Sequence, residues 1–202
     1  MSSALSYVPR TYINVENDLI LSSKSLRLLG FHFDGTPGVG AHVKQILKKV
    51  RYRIWSIHNL KRLRLCPSGL INVYVSLVRP CFDYACVVYS SLLTRSQSDS
   101  LERLQRKVLK IIYGFDYSYD QCLSKSGLEM LSVRRTKLCE KFVLKTASNP
   151  RFRDWFPLNP PVSYHLRRRK KYSERPTRTK RLRASPIYFY RRLLNYLAEE
   201  ER

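Results

Sequence analysis

The chain has 202 residues, and its 38 Lys and Arg against 15 Asp and Glu give a formal net charge of +23. Its hydrophobic content of 44% is enough to build a core, which excludes a wholly disordered chain. A surface this positive repels itself unless a polyanion is near, so the expected partner is nucleic acid, with an anionic membrane surface as the second choice. The remaining interpretation is a basic protein whose charges serve only solubility.

Residues 12–34 predict two or three β-strands in a small antiparallel hairpin or sheet. The Asn17-Asp18 pair is typical of a turn, and Ser25 opens the stretch SLRLLGFHFDG. We interpret that stretch as one short strand interrupted by Gly30. The segment GTPGVG comes next, and because neither Lys-Ser nor Lys-Thr follows it, it predicts a linker and not a phosphate-binding loop.

From Ala41 the hydrophobic spacing changes to that of a long amphipathic helix with a basic outer side. No acidic residue occurs between Val39 and Asn72, which favours contact with a polyanion over a merely solvated face. Trp55 is expected in the core, whereas the role of Tyr52 stays open between core packing and stacking on bases. The residues expected on the inner face are Val43, Ile46, Leu47, Val50, Ile54, Ile57 and Leu60.

Four further helices are expected after this one. The second helix starts after Pro67 and meets Pro80, which lacks a backbone donor and therefore predicts a kink or a split. The third helix is expected to be capped by serines at positions 96–98 and to stop at Gly114. The last two are expected over 120–125 and 132–148.

The composition changes again after residue 149. Prolines and two dense basic runs occur there with few aliphatic residues, so this region cannot bury much surface and is expected to form an extended arm. Its final SPIYFYRRLLNYL is apolar enough to dock as a terminal helix. The predicted fold is therefore mostly α: a small antiparallel β-hairpin or sheet at the N-terminus, a helical bundle, and a basic, largely irregular C-terminal arm. The expected regions are 1–36 for the strands, 37–149 for the helices and 150–202 for the arm.

Cysteines and histidines form no metal or disulfide pattern in the sequence. The five cysteines are odd in number and form no C-x-x-C pair with a nearby His, so we expect reduced, mostly buried thiols in an intracellular protein. The four histidines are scattered, which favours structural or surface roles over metal binding. The start MSSALSYVPRTY lacks the apolar run of a secretory signal, and no apolar stretch reaches the length of a membrane span. We therefore expect no secretion and no membrane span, and a location in the nucleus, the cytoplasm or both.

Five segments occur in an order that is more informative than any one of them: SLRLLGFHFDG, AHVKQILKKVRYRIWSIHNLKRL, YVSLVRPCFDYACVVYSSLL, LERLQRKVLKIIYG and GLEMLSVRRTKLCEKFVLK. In this order they resemble the C-terminal part of reverse transcriptases from non-LTR retrotransposons of the Jockey type. The similarity covers residues 10–150, and the later TKRLRASPIYFYRRLLN is also similar to the end of such polyproteins. The resemblance implies a fragment of an RNA-directed DNA polymerase.

The resemblance implies that the first segment is the end of the palm and that the following helices form the thumb, which grips a template–primer duplex. Leu29, Gly30 and Phe31 would lie at the palm–thumb junction, where glycine permits a bulge or a close backbone approach. Basic residues of the helix and the arm would contact phosphates of RNA, RNA/DNA or DNA duplexes without reading their sequence. These residues are Lys44, Lys48, Lys49, Arg51, Arg53, Lys61, Arg62, Arg167, Arg168, Arg169, Lys170 and Lys171.

The sequence departs from that family in its carboxylates. Such polymerases hold two magnesium ions on carboxylates, one of them in a Tyr-x-Asp-Asp turn, and this sequence has no adjacent Asp-Asp pair. Single carboxylates follow a phenylalanine at Asp34, Asp83 and Asp116, and we assign none of them a catalytic or metal-binding role. We therefore expect a chain that binds a template–primer, takes no cofactor of its own and does not polymerise alone, with the catalytic segments upstream of Met1.

Three alternatives stay open at this point. One is a free-standing nucleic-acid-binding or scaffold protein derived from a mobile element and acting through the arm. The second is a role of the basic runs as a nuclear-targeting signal, which they also resemble. The third is binding to an anionic membrane surface.

Overall fold

The computed structural model describes residues 12–15, 18–21, 25–34, 38–160, 170–174 and 176–200. Over these residues the chain is mostly α-helical, with two small antiparallel β-hairpins in front of the helices and an arm behind them. The expected fold class is therefore confirmed.

The described residues contain four strands, nine α-helices and three short segments of other helical types. The strands are β1 (Tyr12–Val15), β2 (Asp18–Leu21), β3 (Ser25–Leu28) and β4 (Phe31–Asp34). The α-helices are α1 (Gly40–Arg62), α2 (Pro67–Val73), α3 (Arg79–Asp83), α4 (Cys86–Tyr89), α5 (Arg95–Tyr113), α6 (Tyr119–Ser126), α7 (Leu131–Ala147), α8 (Lys180–Ala184) and α9 (Pro186–Glu200). The other segments are a π-helix (Tyr74–Val78) and two 3₁₀-helices (Ser90–Leu92 and Pro150–Trp155).

The stretch SLRLLGFHFDG forms a hairpin, so the prediction of one interrupted strand was wrong. β3 pairs antiparallel with β4, and Leu28 lies opposite Phe31. Leu29 and Gly30 are therefore a two-residue turn, with φ angles of 49° and 80°. Consecutive positive φ angles are typical of the tight turns that match the twist of a hairpin, and glycine adopts them without strain.

Helices α1 and α5 pack against each other at the centre of the main core. The inner face of α1 is as predicted, since its aliphatic residues are buried or packed at the edge of this core. The prediction for the start of α5 was wrong, because Thr94 caps this helix and not a serine at 96–98. Thr94 Oγ1 accepts from the Gln97 N–H at 3.2 Å while Gln97 Oε1 accepts from the Thr94 N–H at 2.9 Å, which is a capping box. The helix stops at Gly114, as predicted.

The second helical unit continues through Pro80. α2 passes into the π-helix over Tyr74–Val78 and then into α3, which contains Pro80. A π turn shifts the hydrogen-bond pattern by one residue, which accommodates the proline ring and its missing N–H. The chain leaves the helix at Tyr84 and Ala85, where Ala85 has a φ angle of 54°. The predicted split therefore occurs, but at Ala85 and not at Pro80.

The terminal helix α9 docks on α7, as predicted for the end of the arm. Its Tyr190 and Leu194 are buried in a second, smaller apolar cluster with residues of α7. Asn195 Oδ1 accepts from the Tyr172 N–H at 2.8 Å, and its amide donates to the Tyr172 carbonyl oxygen at 3.1 Å. These bonds hold residues 170–174 of the arm against α9.

His42 is a buried polar side chain at the contact between α1 and the second hairpin. Its ring stacks on Phe31, with 4.1 Å between the ring centroids, and neither ring nitrogen has a hydrogen-bond partner among the described residues. Burial lowers the pKa of His42 from 6.5 to about 4, and the charges of His32 and Lys49 act in the same direction. His42 is therefore a packed, neutral ring at pH 7.

We expect the free energy of unfolding to fall by about 3 kcal/mol as the pH decreases from 7 to 4, because of His42. The unfolded chain binds a proton on this ring near pH 6.5, whereas the folded chain resists it until about pH 4. Acid therefore favours the unfolded state over this range. Urea denaturation of the wild type and of His42→Phe at several pH values measures the effect.

His42→Phe should flatten this pH dependence and raise the free energy of unfolding at pH 7, since it removes a buried N–H that has no partner among the described residues. His58→Gln is the matched control, because it removes an exposed histidine from the same helix. An unchanged pH dependence in His42→Phe would contradict the assignment.

Candidate nucleic-acid interface

The outward side of α1 carries a row of four exposed cations: Lys44, Lys48, Arg51 and Arg62. Their spacing places them on one face of the helix, and at 1.5 Å per residue the row is about 27 Å long. No hydrogen bond or ion pair joins any of the four side chains to another residue in the part of the chain that the structure describes. We call this row the α1 cationic face.

Two other basic residues that were predicted to bind phosphates are hydrogen-bonded to neighbouring helical segments. The Arg53 guanidinium donates to the Leu77 carbonyl oxygen and to Cys81 Sγ, so it links α1 to the second helical unit. Lys61 donates to the carbonyl oxygens of Ile111 and Ile112 at the C-terminal end of α5, where a cation is favourable. Arg53 and Lys61 therefore connect helices.

Lys49 lies on the side of α1 that faces α3. It lines a cavity of about 220 Å³ together with Gln45, Pro80 and Tyr84. Lys49 is exposed, so it stays available to a ligand at the edge of the α1 cationic face. Its position beside the hairpin and α3 comes from the tertiary packing and not from the helical period alone.

A second basic surface lies where the C-terminal ends of α1 and α5 meet. A cleft of about 690 Å³ is lined there by cations of both helices and by the ring of Phe115, which is 78% exposed. The contribution of α5 cannot be predicted from the sequence, because Asp99 and Glu102 give that helix an ordinary mixture of charges. Only the docking of α5 on α1 brings its cations beside those of α1. The basic residues of the cleft are Lys61, Arg62, Lys107 and Lys110, with His58 beside them.

The residues expected at the palm–thumb junction form one contact point between the hairpin and α3. The Tyr84 hydroxyl donates to the carbonyl oxygen of Leu29 in the turn, and Phe31 is buried against α1. A Cβ on Gly30 would lie 3.4 Å from the Tyr84 hydroxyl, which is an ordinary contact. Gly30 is therefore required by its backbone angle and not by a lack of space, and the proposed bulge is a turn.

The carboxylate of Asp83 is engaged in a structural ion pair. Arg134 of α7 donates to both of its oxygens, from Nε at 2.9 Å and 3.0 Å and from a terminal nitrogen at 2.7 Å. This forked geometry fixes α3 against α7.

Burial raises the pKa of the nearby Cys86 thiol to about 11, so this thiol is protonated and weakly nucleophilic at pH 7.

No three His, Cys, Asp or Glu side chains in the part of the chain that the structure describes form a group that could hold a metal ion. No single helix within the described ranges is long and apolar enough to cross a membrane.

The basic arm is only partly described by the structure. Arg167, Arg168 and Arg169 lie outside the described residues. Lys170 and Lys171 are both exposed, and Lys170 pairs with Glu174 at 2.6 Å. Five arm residues were predicted to bind nucleic acid. Of the two that the structure describes, Lys171 has no ion pair with another described residue.

Comparisons of this chain with family models, with curated proteins and with solved structures found no match.

Proposed function

We propose that this protein binds the phosphate backbone of nucleic acid without sequence preference, through the α1 cationic face and the adjoining cleft of α5. The observation that carries the proposal is the row of four exposed cations on α1 that lack partners among the described residues. Cations held along a rigid helix can contact successive phosphates, and each contact releases counterions from the nucleic acid. Contacts of this kind position a duplex or a strand and carry no sequence information.

The local charge pattern favours a polyanion over a merely solvated helix face. The sequence contains no Asp or Glu between Asp34 and Asp83, a stretch that includes all of α1 and α2. A solvated helix face usually intersperses both signs of charge, because opposite charges three or four residues apart stabilise the helix. α1 has no such pair of opposite charges along its whole length, and a bound polyanion would supply the missing negative charge.

We further propose that this region corresponds to the thumb of a reverse transcriptase of a non-LTR retrotransposon. Two features support this assignment. The motifs occur in the order that the resemblance requires, and a hairpin precedes the basic helix and contacts Tyr84 of the next helical unit through its turn. In this role the α1 cationic face would hold an RNA/DNA or RNA template–primer duplex, and the polymerase chemistry would reside in residues other than those of this chain.

A salt titration tests backbone binding by the whole chain. The change in anisotropy of a fluorescent RNA/DNA duplex of about 20 base pairs gives the dissociation constant, measured from 50 to 300 mM salt. With about four phosphates neutralised, the logarithm of the association constant should fall with a slope of about −4 against the logarithm of the salt concentration. A dissociation constant that does not respond to salt, or no binding at 50 mM salt, would refute the proposal.

The arm is the competing binding site, and substitutions separate it from the helix better than truncation does. Deleting α9 would uncover the apolar cluster on α7 that Tyr190 and Leu194 cover, so the deleted protein would be destabilised as well as less basic. Substitution of three arm arginines by glutamine removes their positive charge and leaves α9 in place. If this variant loses nearly all affinity, the arm is the main site and the helix is not. The variant is Arg167→Gln/Arg168→Gln/Arg169→Gln.

A further inference from the structure

The aromatic side chains of α1 are exposed on the helix, which corrects the prediction that Trp55 belongs to the core. The Trp55 side chain is 62% exposed and that of Tyr52 is 74% exposed. Ile46 and Trp55 are two and a half helical turns apart, so the burial of Ile46 places Trp55 on the opposite face. Tyr52 is on the same side of the helix as Trp55, about 60° around it.

Neither the Tyr52 ring nor the Trp55 ring has a cation or a second ring stacked on it among the described residues. Two other exposed rings of this protein have a cation over them: Tyr117 has Lys125 Nζ at 3.3 Å from its centroid, and Phe115 has Lys110 Nζ at 5.6 Å. The described part of the chain offers no cation, no second ring and no side-chain hydrogen bond to Trp55. The largest side chain of the most basic helix is thus left open to solvent, at a cost in apolar exposure.

Trp55 lies within the α1 cationic face and not beside it. Counted along the helix, Lys48, Arg51, Trp55 and Arg62 follow one another on one side, at intervals of one or two turns. A flat ring flanked by cations matches a nucleotide strand, in which flat bases alternate with phosphates. In a closed duplex the base faces are already stacked on each other, so an exposed ring finds no free face there.

We propose that Trp55, assisted by Tyr52, stacks on unpaired bases and makes α1 a binding site for single-stranded nucleic acid. Lys48, Arg51 and Arg62 contact the phosphates of the strand. The proposal rests on the proposed function and specifies its ligand: α1 prefers unpaired strands, such as the single-stranded template beside a duplex, to the closed duplex itself. A ring on a base is indifferent to sequence, because every base has two flat faces.

The chain contains two tryptophans, which provides a direct spectroscopic test and its control. Trp155 lies in the 3₁₀-helix at the start of the arm, is 43% exposed and packs on Phe152 at 4.8 Å between ring centroids. In Trp155→Leu the remaining fluorescence comes from Trp55, and oligo(dT) should quench it strongly. In Trp55→Leu the remaining fluorescence comes from Trp155 and should not respond.

Affinity provides the second readout. Trp55→Leu should lower the affinity for oligo(dT) about tenfold, since stacking on one base contributes an effect of this size. Its affinity for heparin, a polyanion without bases, should stay unchanged, and so should the affinity of Trp155→Leu for both. Circular dichroism checks that each variant is folded, which is expected because Trp55 is exposed.

The other outcomes separate failure of backbone binding from failure of stacking by Trp55. If the wild type binds neither oligo(dT) nor heparin, the proposed function fails and stacking fails with it. If both polyanions bind but oligo(dT) leaves Trp55 fluorescence and the Trp55→Leu affinity unchanged, stacking alone is refuted and backbone binding stands. If Trp55 fluorescence shifts to the blue with phosphatidylserine vesicles and not with oligo(dT), the ring inserts into a membrane and stacking is refuted.

Discussion

Lys44→Glu/Lys48→Glu should weaken binding to single-stranded and duplex nucleic acid on the order of 100-fold at about 100 mM salt, the largest effect that we expect on binding. Each substitution removes one phosphate contact and adds a repulsive charge on the same helix face. The salt slope should fall by about two, because two fewer phosphates are neutralised. Folding should be little affected, since both side chains are exposed and have no partners among the described residues.

Lys141→Glu/Lys145→Glu is the matched control for this double charge reversal. These two lysines are exposed on α7, four residues apart like Lys44 and Lys48, and the change in net charge is identical. Non-specific electrostatics would make the two double variants equally weak. The proposed interface instead requires that the α7 variant retain most of the affinity and most of the salt slope. Equal losses in the two variants would refute a binding site on α1.

Gln105→Leu should lower the free energy of unfolding by about 3 kcal/mol, the largest effect that we expect from a single substitution at pH 7. Gln105 is a fully buried amide in α5, and its partners lie in three other segments. Its oxygen accepts from the Tyr74 hydroxyl at 2.5 Å, and its nitrogen donates to the Tyr119 hydroxyl at 3.0 Å and to the Glu129 carbonyl oxygen at 2.9 Å. Leucine has a similar volume, so the loss comes from polar groups left without a partner, measured by urea denaturation.

A double-mutant cycle separates this network from simple packing. Tyr74→Phe alone should cost about 1 kcal/mol, because it leaves the Gln105 oxygen without its donor. In the Gln105→Leu background the same change should be neutral or stabilising, since it removes a buried hydroxyl that has lost its acceptor. Additive effects would contradict the network. Gln45→Leu is the control, because Gln45 is exposed on α1 and its loss should stay within about 0.5 kcal/mol.

The candidate site was only partly predictable from the sequence. The position of Lys44, Lys48, Arg51 and Arg62 on the outer side of α1 follows from the helical period once the inner face is known. The same period also assigns Trp55 to the outer side. The prediction that Trp55 is buried followed the general preference of aromatic residues for cores, and it was wrong. Where two rules conflict on an amphipathic helix, the angular position is the better guide to burial.

The sequence by itself determined several local features: a β-region ahead of the helices, the inner face of α1 and the stop of α5 at Gly114. These features depend on residues within one or two turns of each other, so their signals are contiguous in the chain. The net charge and the absence of acidic residues around α1 are likewise properties of the sequence, and the proposal of a polyanionic partner rests on them.

The tertiary structure decided which charges are available. Lys61 is bonded to carbonyl oxygens of α5 50 and 51 residues away, and Asp83 is bonded to Arg134 51 residues away. Such contacts leave no periodic signal in the sequence, because their two members are far apart in the chain. The cleft between α1 and α5 exists for the same reason only after the two helices dock. Folding thus engages Arg53 and Lys61 in contacts between helices and brings Lys107 and Lys110 of α5 beside the cations of α1.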